Sequence, residues 1–166
     1  MLTFYTDGSC RPTNPGPGGY GVIGVYQKDS NEERKVIHCY YEKFESTTNN
    51  RMELSAINYV MKHFGHNIFD EWGMIPIVYT DSNYCLQTYK SWMFNWARNN
   101  WTKSDKKVPE NLDLIQEYYN LYQQGYRIDL RKVKGHNGNK WNEIVDQLAT
   151  GKITCEELLK TQDKTD

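Results

Sequence analysis

The apolar positions of this chain change period several times, and the changes divide it into elements. Leu2–Thr6 is a short apolar run that reads as a buried strand. A Pro/Gly loop, RPTNPGPGG, follows it. YGVIGVYQ (Tyr20–Gln27) reads as a second strand, DSNEE as a turn, and KVIHCYY (Lys35–Tyr41) as a third strand rich in β-branched and aromatic residues. Three strands on short connections predict an antiparallel meander. In STTNNRMELSAINYVMKHF the spacing turns helical, with Met52, Ala56, Tyr59 and Val60 on one stripe and Thr47, Thr48 and Asn49 as candidate N-caps. Ile75–Thr80 predicts a fourth strand, and SNYCLQTYK the start of a second helix. NLDLIQEYYNLYQQG is amphipathic, with Gly125 placed to end it. RIDLRKV predicts a fifth strand. NKWNEIVDQLA predicts a last helix, extended or followed by TCEELLK. The order βββαβααβα implies an α/β fold: a mixed five-stranded sheet with helices on its faces.

The repeated Tyr-Thr-Asp changes this picture from architecture to chemistry. YTDGSC starts at Tyr5 and YTDS at Tyr79, so two strand-like runs each meet one carboxylate. In open α/β sheets ligands sit beyond the carboxyl ends of strands, where the strand order switches. Strands 1 and 4 side by side would bring Asp7 and Asp81 together there. Either aspartate alone is as readily a turn or helix cap. Glu53, in the first helix, and Asp146, in the last, are further carboxylates flanked by apolar residues. The four together would form an oxygen-only site suited to Mg²⁺ or Mn²⁺. His136 stands between Gly135 and Gly138 in KGHNGNK, as a surface-loop histidine or as a mobile acid/base.

Composition narrows the partners. Among 166 residues, 38% are hydrophobic, with 13 tyrosines and 5 tryptophans. One globular domain spanning 1–166 is expected. Lys and Arg number 20 against 21 Asp and Glu, so any basic surface for a polyanion is local. It is found in YKSWMFNWARNNWTKSDKKVPEN, where Trp92, Trp96 and Trp101 alternate with Lys90, Arg98, Lys103, Lys106 and Lys107. Trp96 and Trp101 read as the core of a small helical protrusion. Cys10, Cys39, Cys85 and Cys155 are scattered without a CxxC pair, which points away from zinc. No signal peptide or membrane-length apolar run is read, so a reduced, intracellular, cytoplasmic protein is expected.

YTDGSC…NPGPGGYG, TTNNRMEL, YTDSNY and VKGHNGNKWNEIVDQLA, in this order and spacing, resemble type 1 ribonuclease H of the bacterial kind with a basic protrusion. The resemblance covers about residues 1–150 and leaves a short C-terminal tail. It implies strands 1–3 antiparallel, with strands 4 and 5 parallel to strand 1. It makes Asp7, Glu53, Asp81 and Asp146 metal ligands and His136 catalytic with them. It implies two Mg²⁺ ions with substrate bound, Mn²⁺ as an alternative, and hydrolysis of the RNA strand of an RNA–DNA hybrid to 5′-phosphate and 3′-hydroxyl ends. Cys10, Asn14, Asn49, Asn50 and Asn83 would face the RNA strand. Thr48 and Asn111 would clamp a DNA phosphate, and Trp92 with Tyr84 would wall the DNA channel. Arg98, Lys103, Lys106 and Lys107 belong to the protrusion, which departs from more basic versions at Ala97, Asn99 and Asn100. A hybrid duplex as partner, no membrane and a monomer are expected. A catalytically silent nucleic-acid-binding domain and a DNA-directed nuclease of the same superfamily are the alternatives.

Overall fold

The computed structural model describes residues 1–66, 75–133 and 139–164. Its strands are β1 (Leu2–Cys10), β2 (Gly16–Tyr26), β3 (Lys35–Thr47), β4 (Ile77–Thr80) and β5 (Asp129–Lys132). Its helices are α1 (Asn49–Phe64), α2 (Asn83–Gln87), α3 (Met93–Arg98), α4 (Leu112–Gln123), α5 (Lys140–Thr150) and α6 (Cys155–Lys164), with a π-helical turn at Thr88–Trp92 joining α2 to α3. The strands lie in the order β3-β2-β1-β4-β5. β1–β3 pair antiparallel, while β4 runs parallel to both β1 and β5. The mixed sheet expected from the sequence is therefore present.

Strand alternation divides the core. Phe4, Val22, Val78 and Leu130 meet α1 and α4 through Leu54, Ile57, Val60, Met61 and Ile115. Tyr5, Ile23 and Val25 face the other way and pack with Val36, Val145 and Leu148.

Several boundaries move. The GPGG segment, expected as loop, is the start of β2, and β1 continues through Asp7 to Cys10 beside it. The reason lies in α5. A Cβ on Gly19 would stand 3.0 Å from the Ala149 carbonyl oxygen, and one on the following glycine, Gly21, 2.8 Å from the Leu148 Cβ. The bare backbone is the surface on which α5 rests, so glycine here marks close packing and not a turn. β3 runs to Thr47, beyond the Tyr41 of the sequence reading, because it stays paired to the elongated β2. β4 and β5 are shorter than Ile75–Thr80 and Arg127–Val133, since their mutual pairing spans only Ile77–Thr80 and Asp129–Lys132. Thr48 is the α1 N-cap, accepting from the Arg51 N–H at 3.2 Å. Gly125, at φ +98°, follows the Gln124 cap of α4.

The expectation of reduced cysteines fails for one pair. Cys39 and Cys155 form a disulfide across Cα atoms 5.7 Å apart. It joins α6 to β3, the outer strand, and the Gln162 side chain adds two bonds to the Val36 backbone, at 2.7 and 2.9 Å. Residues 116 apart in sequence meet only because α6 folds back across the sheet, which spacing cannot reveal. Cys10 and Cys85 are buried free thiols. Closing so long a loop restricts the unfolded chain. Cys155→Ser is expected to lower stability by about 2–5 kcal/mol. Guanidinium unfolding of the oxidised wild type and the variant measures this, and superposable curves would mean that the bond contributes nothing in solution.

Candidate active site

Just beyond the last pair of the β1–β4 ladder, the geometry answers the repeated Tyr-Thr-Asp. Tyr5 pairs with Tyr79 in parallel register, and the two rings stack at 5.2 Å. Two steps further on each chain stand Asp7 and Asp81, on the same face by alternation. α1 delivers Glu53 from the other side of the sheet. Its backbone lies so close that a Cβ on Gly8 would be 2.3 Å from the Glu53 nitrogen. One carboxylate oxygen from each of Asp7, Glu53 and Asp81 lies within 4.8 Å of the others. Asp146, half-buried on α5, adjoins Asp7 and adds its charge there. All four carboxylates of the sequence reading thus converge from four elements.

Asp7 is 5% exposed and Glu53 4%. Burial, then the charge of Asp81, pushes the Asp7 carboxyl up to about 8. Burial, with Asp7 and Asp81 nearby, holds Glu53 well above the usual carboxylate range, and a hydrogen bond from the Gly8 backbone opposes this. Glu53 Oε2 is buried and has no hydrogen-bond partner among the described residues. A buried, orphaned oxygen in a ring of carboxylates is suited to a positive charge. An all-oxygen donor set fits a hard divalent cation.

The residues expected from the sequence to meet the two strands divide into two places. Cys10, Asn14, Thr48, Asn49, Asn50 and Asn111 line one cavity of about 560 Å³ at the N-terminus of α1. Asn14 Oδ1 accepts from the Asn49 N–H at 3.2 Å. The Cys10 thiol points at the carbonyls of Thr13, Gly16 and Thr47, at 3.1–3.5 Å, and so ties the loop to the end of β3. Asn111 donates to the Tyr84 hydroxyl at 3.0 Å and accepts from Arg51 at 3.4 Å. Asn83 stands apart, exposed on the first turn of α2 beside Asp81.

In the protrusion Trp96 and Trp101 pack on the main core, whereas Trp92 is 39% exposed. Trp92, Trp96 and Lys103 line a shallow cavity of about 760 Å³. Arg98 donates to Asn95. Lys103, Lys106 and Lys107 share a tight turn, with Lys103 N–H on the Lys107 carbonyl at 2.8 Å. His136, with Gly135 and Gly138, lies outside the described residues.

A model of the RNase H family matches residues 1–154. The chain belongs to the ribonuclease H family. As a family member it is a hydrolase. It is similar to the ribonuclease H of Orientia tsutsugamushi, with 41% identity over 165 residues, 99% of this chain and 89% of that one. The Treponema denticola ribonuclease H is 40% identical over 167 residues, covering 95% and 99% of the two chains. Among solved structures, LC9-RNase H1, a type 1 RNase H with the type 2 active-site motif, superposes with a TM-score of 0.73 at 28% identity, over 92% of this chain and 73% of that one. Among the described residues no helix is long and apolar enough to cross a membrane.

Two residues at this ribonuclease H site escaped the sequence reading. Arg51 makes a two-pronged bond to Asp113, at 2.9 and 2.8 Å, and thereby ties the start of α1 to that of α4. Lys132 reaches Asp81 and Asn83. Its position at the end of the fifth strand was the available signal, since ligands in open α/β sheets sit beyond the carboxyl ends of strands.

Metal-free protein carries a consequence of the raised carboxyls. The folded state holds protons on Asp7 and Glu53 that the unfolded chain releases near pH 4. The contribution of these two groups to folding is therefore fullest below that range and is lost as pH rises toward about 8, where Asp7 ionises. Urea midpoints in EDTA are expected to fall between pH 5 and pH 8, and Mg²⁺ is expected to restore them at pH 8. Asp7→Asn is expected to flatten the fall and to match or exceed the wild type at pH 8 without metal. Midpoints that rise over this range would overturn the buried-carboxylate account.

Proposed function

We propose that this chain is an endonuclease that hydrolyses the RNA strand of RNA–DNA hybrids. The observation that carries the proposal is the convergence of Asp7, Glu53 and Asp81 within 4.8 Å, with Asp146 against Asp7. These four would hold Mg²⁺, or Mn²⁺, and two such ions bound with substrate would activate a water and stabilise the departing 3′-oxygen. The side chains contribute fixed negative charge on rigid elements, so little reorganisation is needed when cation and phosphate arrive.

Hydrolysis adds water oxygen to phosphorus and breaks the P–O3′ bond, and the 3′-oxygen takes up a proton. The products are a 5′-phosphate and a 3′-hydroxyl. His136 is proposed to move that proton or to ease product departure, on the strength of its place in the Lys-Gly-His motif. Asn14, Asn49, Asn50, Asn83 and Cys10 are proposed to face the RNA strand, where 2′-hydroxyls separate RNA from DNA. Thr48, at a helix start that favours phosphate, and Asn111 are proposed to hold the DNA strand, with Tyr84 and Trp92 along its channel. The protein is proposed to act as a monomer inside the cell.

The deciding assay uses matched 5′-labelled RNA–DNA, RNA–RNA and DNA–DNA duplexes with and without Mg²⁺. Cleavage confined to the RNA of the hybrid is expected. Asp7→Asn is expected to lower turnover about 10³-fold or more, about 4 kcal/mol of barrier, while hybrid binding in Ca²⁺ persists. Wild-type cleavage by this variant would sink the metal-site assignment, and cleavage of duplex DNA would favour a DNA-directed enzyme.

The protrusion is proposed to meet phosphates without reading sequence. Replacing Lys103, Lys106 and Lys107 with Ala is expected to flatten the slope of log K against log salt by about 0.9 for each phosphate that these lysines neutralise. Turnover at saturating hybrid is expected to change little. A salt titration of binding in Ca²⁺ with an unaltered slope would show that this turn does not touch nucleic acid.

A further inference from the structure

Lys132 closes β5, in register with Thr80 at the end of β4. Its half-buried side chain reaches the turn that carries Asp81. The ammonium donates to Asn83 Oδ1 at 2.7 Å and to the Asp81 carbonyl at 3.2 Å. An ammonium group has donors and no acceptor. Asn83 must therefore turn its amide oxygen toward Lys132, and its NH₂ faces away.

Asn83 is exposed, on the first turn of α2 and two residues from Asp81. Its outward NH₂ can only donate. Beside a scissile phosphate, the acceptors available in the minor groove are the 2′-hydroxyl oxygen and the base atoms O2 and N3. An amide free to flip would offer donor or acceptor with little preference, and its ordering on binding would cost affinity.

We infer that Lys132 is a positioning residue for ribose recognition: it locks Asn83 as a donor toward the RNA strand and steadies the Asp81 turn that carries it. The inference rests on the hybrid-cleaving reading above, and it adds a residue that makes the choice between ribose and deoxyribose sharper. Lys132 acts through Asn83, so the two residues are coupled.

The test is hybrid binding in Ca²⁺ by wild type, Lys132→Met, Asn83→Ala and the double variant. The RNA strand is all-ribose or carries a single 2′-deoxy nucleotide walked through the positions around the cleavage site. Lys132→Met is expected to weaken all-ribose binding roughly three- to tenfold, with the penalty for the critical deoxy substitution shrinking toward one. The double variant is expected to bind no worse than Asn83→Ala, because the lysine then has no intermediary. Lys132→Arg, which keeps a donor, is expected to retain discrimination. Asn83→Asp, which keeps a partner for Lys132 and removes the outward donors, is expected to lose it with an unchanged thermal midpoint. Additive losses in the double variant would instead make Lys132 an independent phosphate ligand and overturn the proposal. So would a Lys132→Met enzyme that discriminates as the wild type does. A wild type that neither binds nor cuts hybrids would defeat the functional reading itself, a result distinct from either.

Discussion

Parallel pairing of three residues of β1 with three of β4 is the constraint on which the site depends. The register sets Tyr5 against Tyr79 and so levels Asp7 with Asp81. A slip of one residue would send one carboxylate to the opposite face. β1 continues past the ladder while β4 stops, which leaves an open notch beside Asp7. The helices then close the notch from both faces, and each does so over a glycine. α1 presses its backbone against Gly8 and brings Glu53, and α5 rests on Gly21 and brings Asp146.

The arrangement is unfavourable in isolation. Burial, with the charges of Asp81 and Asp146 nearby, raises the affinity of Asp7 for protons, and burial with Asp7 and Asp81 nearby raises that of Glu53. The core holds them there. Leu54, Ile57 and Met61 on α1, and Val145 and Leu148 on α5, are almost wholly buried, and leaving the site would expose them. Their burial stabilises by about 1.5–3 kcal/mol per side chain, which offsets the repulsion of the unliganded site. A bound cation would relieve the same repulsion.

Around this centre the polar side chains hold one another in place. Arg51 joins Asp113 and Asn111, and Asn111 joins Tyr84. The starts of α1, α2 and α4 are thereby tied at the rim of one cavity. Under the proposed function, a nucleic-acid backbone would meet side chains already held in place here, so less order would have to be created on binding. On the far side the Cys39–Cys155 bond and Gln162 fasten α6 to the outer strand, and Gln162 occupies the N–H and carbonyl of Val36.

Much of this was legible in the chain. The strand runs, the helical stripe of Met52, Ala56 and Val60, and the two Tyr-Thr-Asp endings follow from local periodicity, and so determine the element order and the mixed sheet. Asp7 and Asp81 were visible as the repeated ends of two strand runs, and Glu53 and Asp146 as carboxylates in apolar stretches, where a charge needs a reason. The glycines of β2 misled, since a bare backbone looks alike in a turn and under a helix. Arg51 and Lys132 were not singled out by local pattern. The partners Asn111, Asp113, Asp81 and Asn83 lie far from them in sequence, and only packing brings them within hydrogen-bond reach. The disulfide belongs to the same class, as Cys39 and Cys155 meet only when α6 crosses β3. Periodicity is a local property and the chain carries it openly. Contact between distant residues, and the charge interactions that depend on it, arise only when the helices settle on the two faces of the sheet.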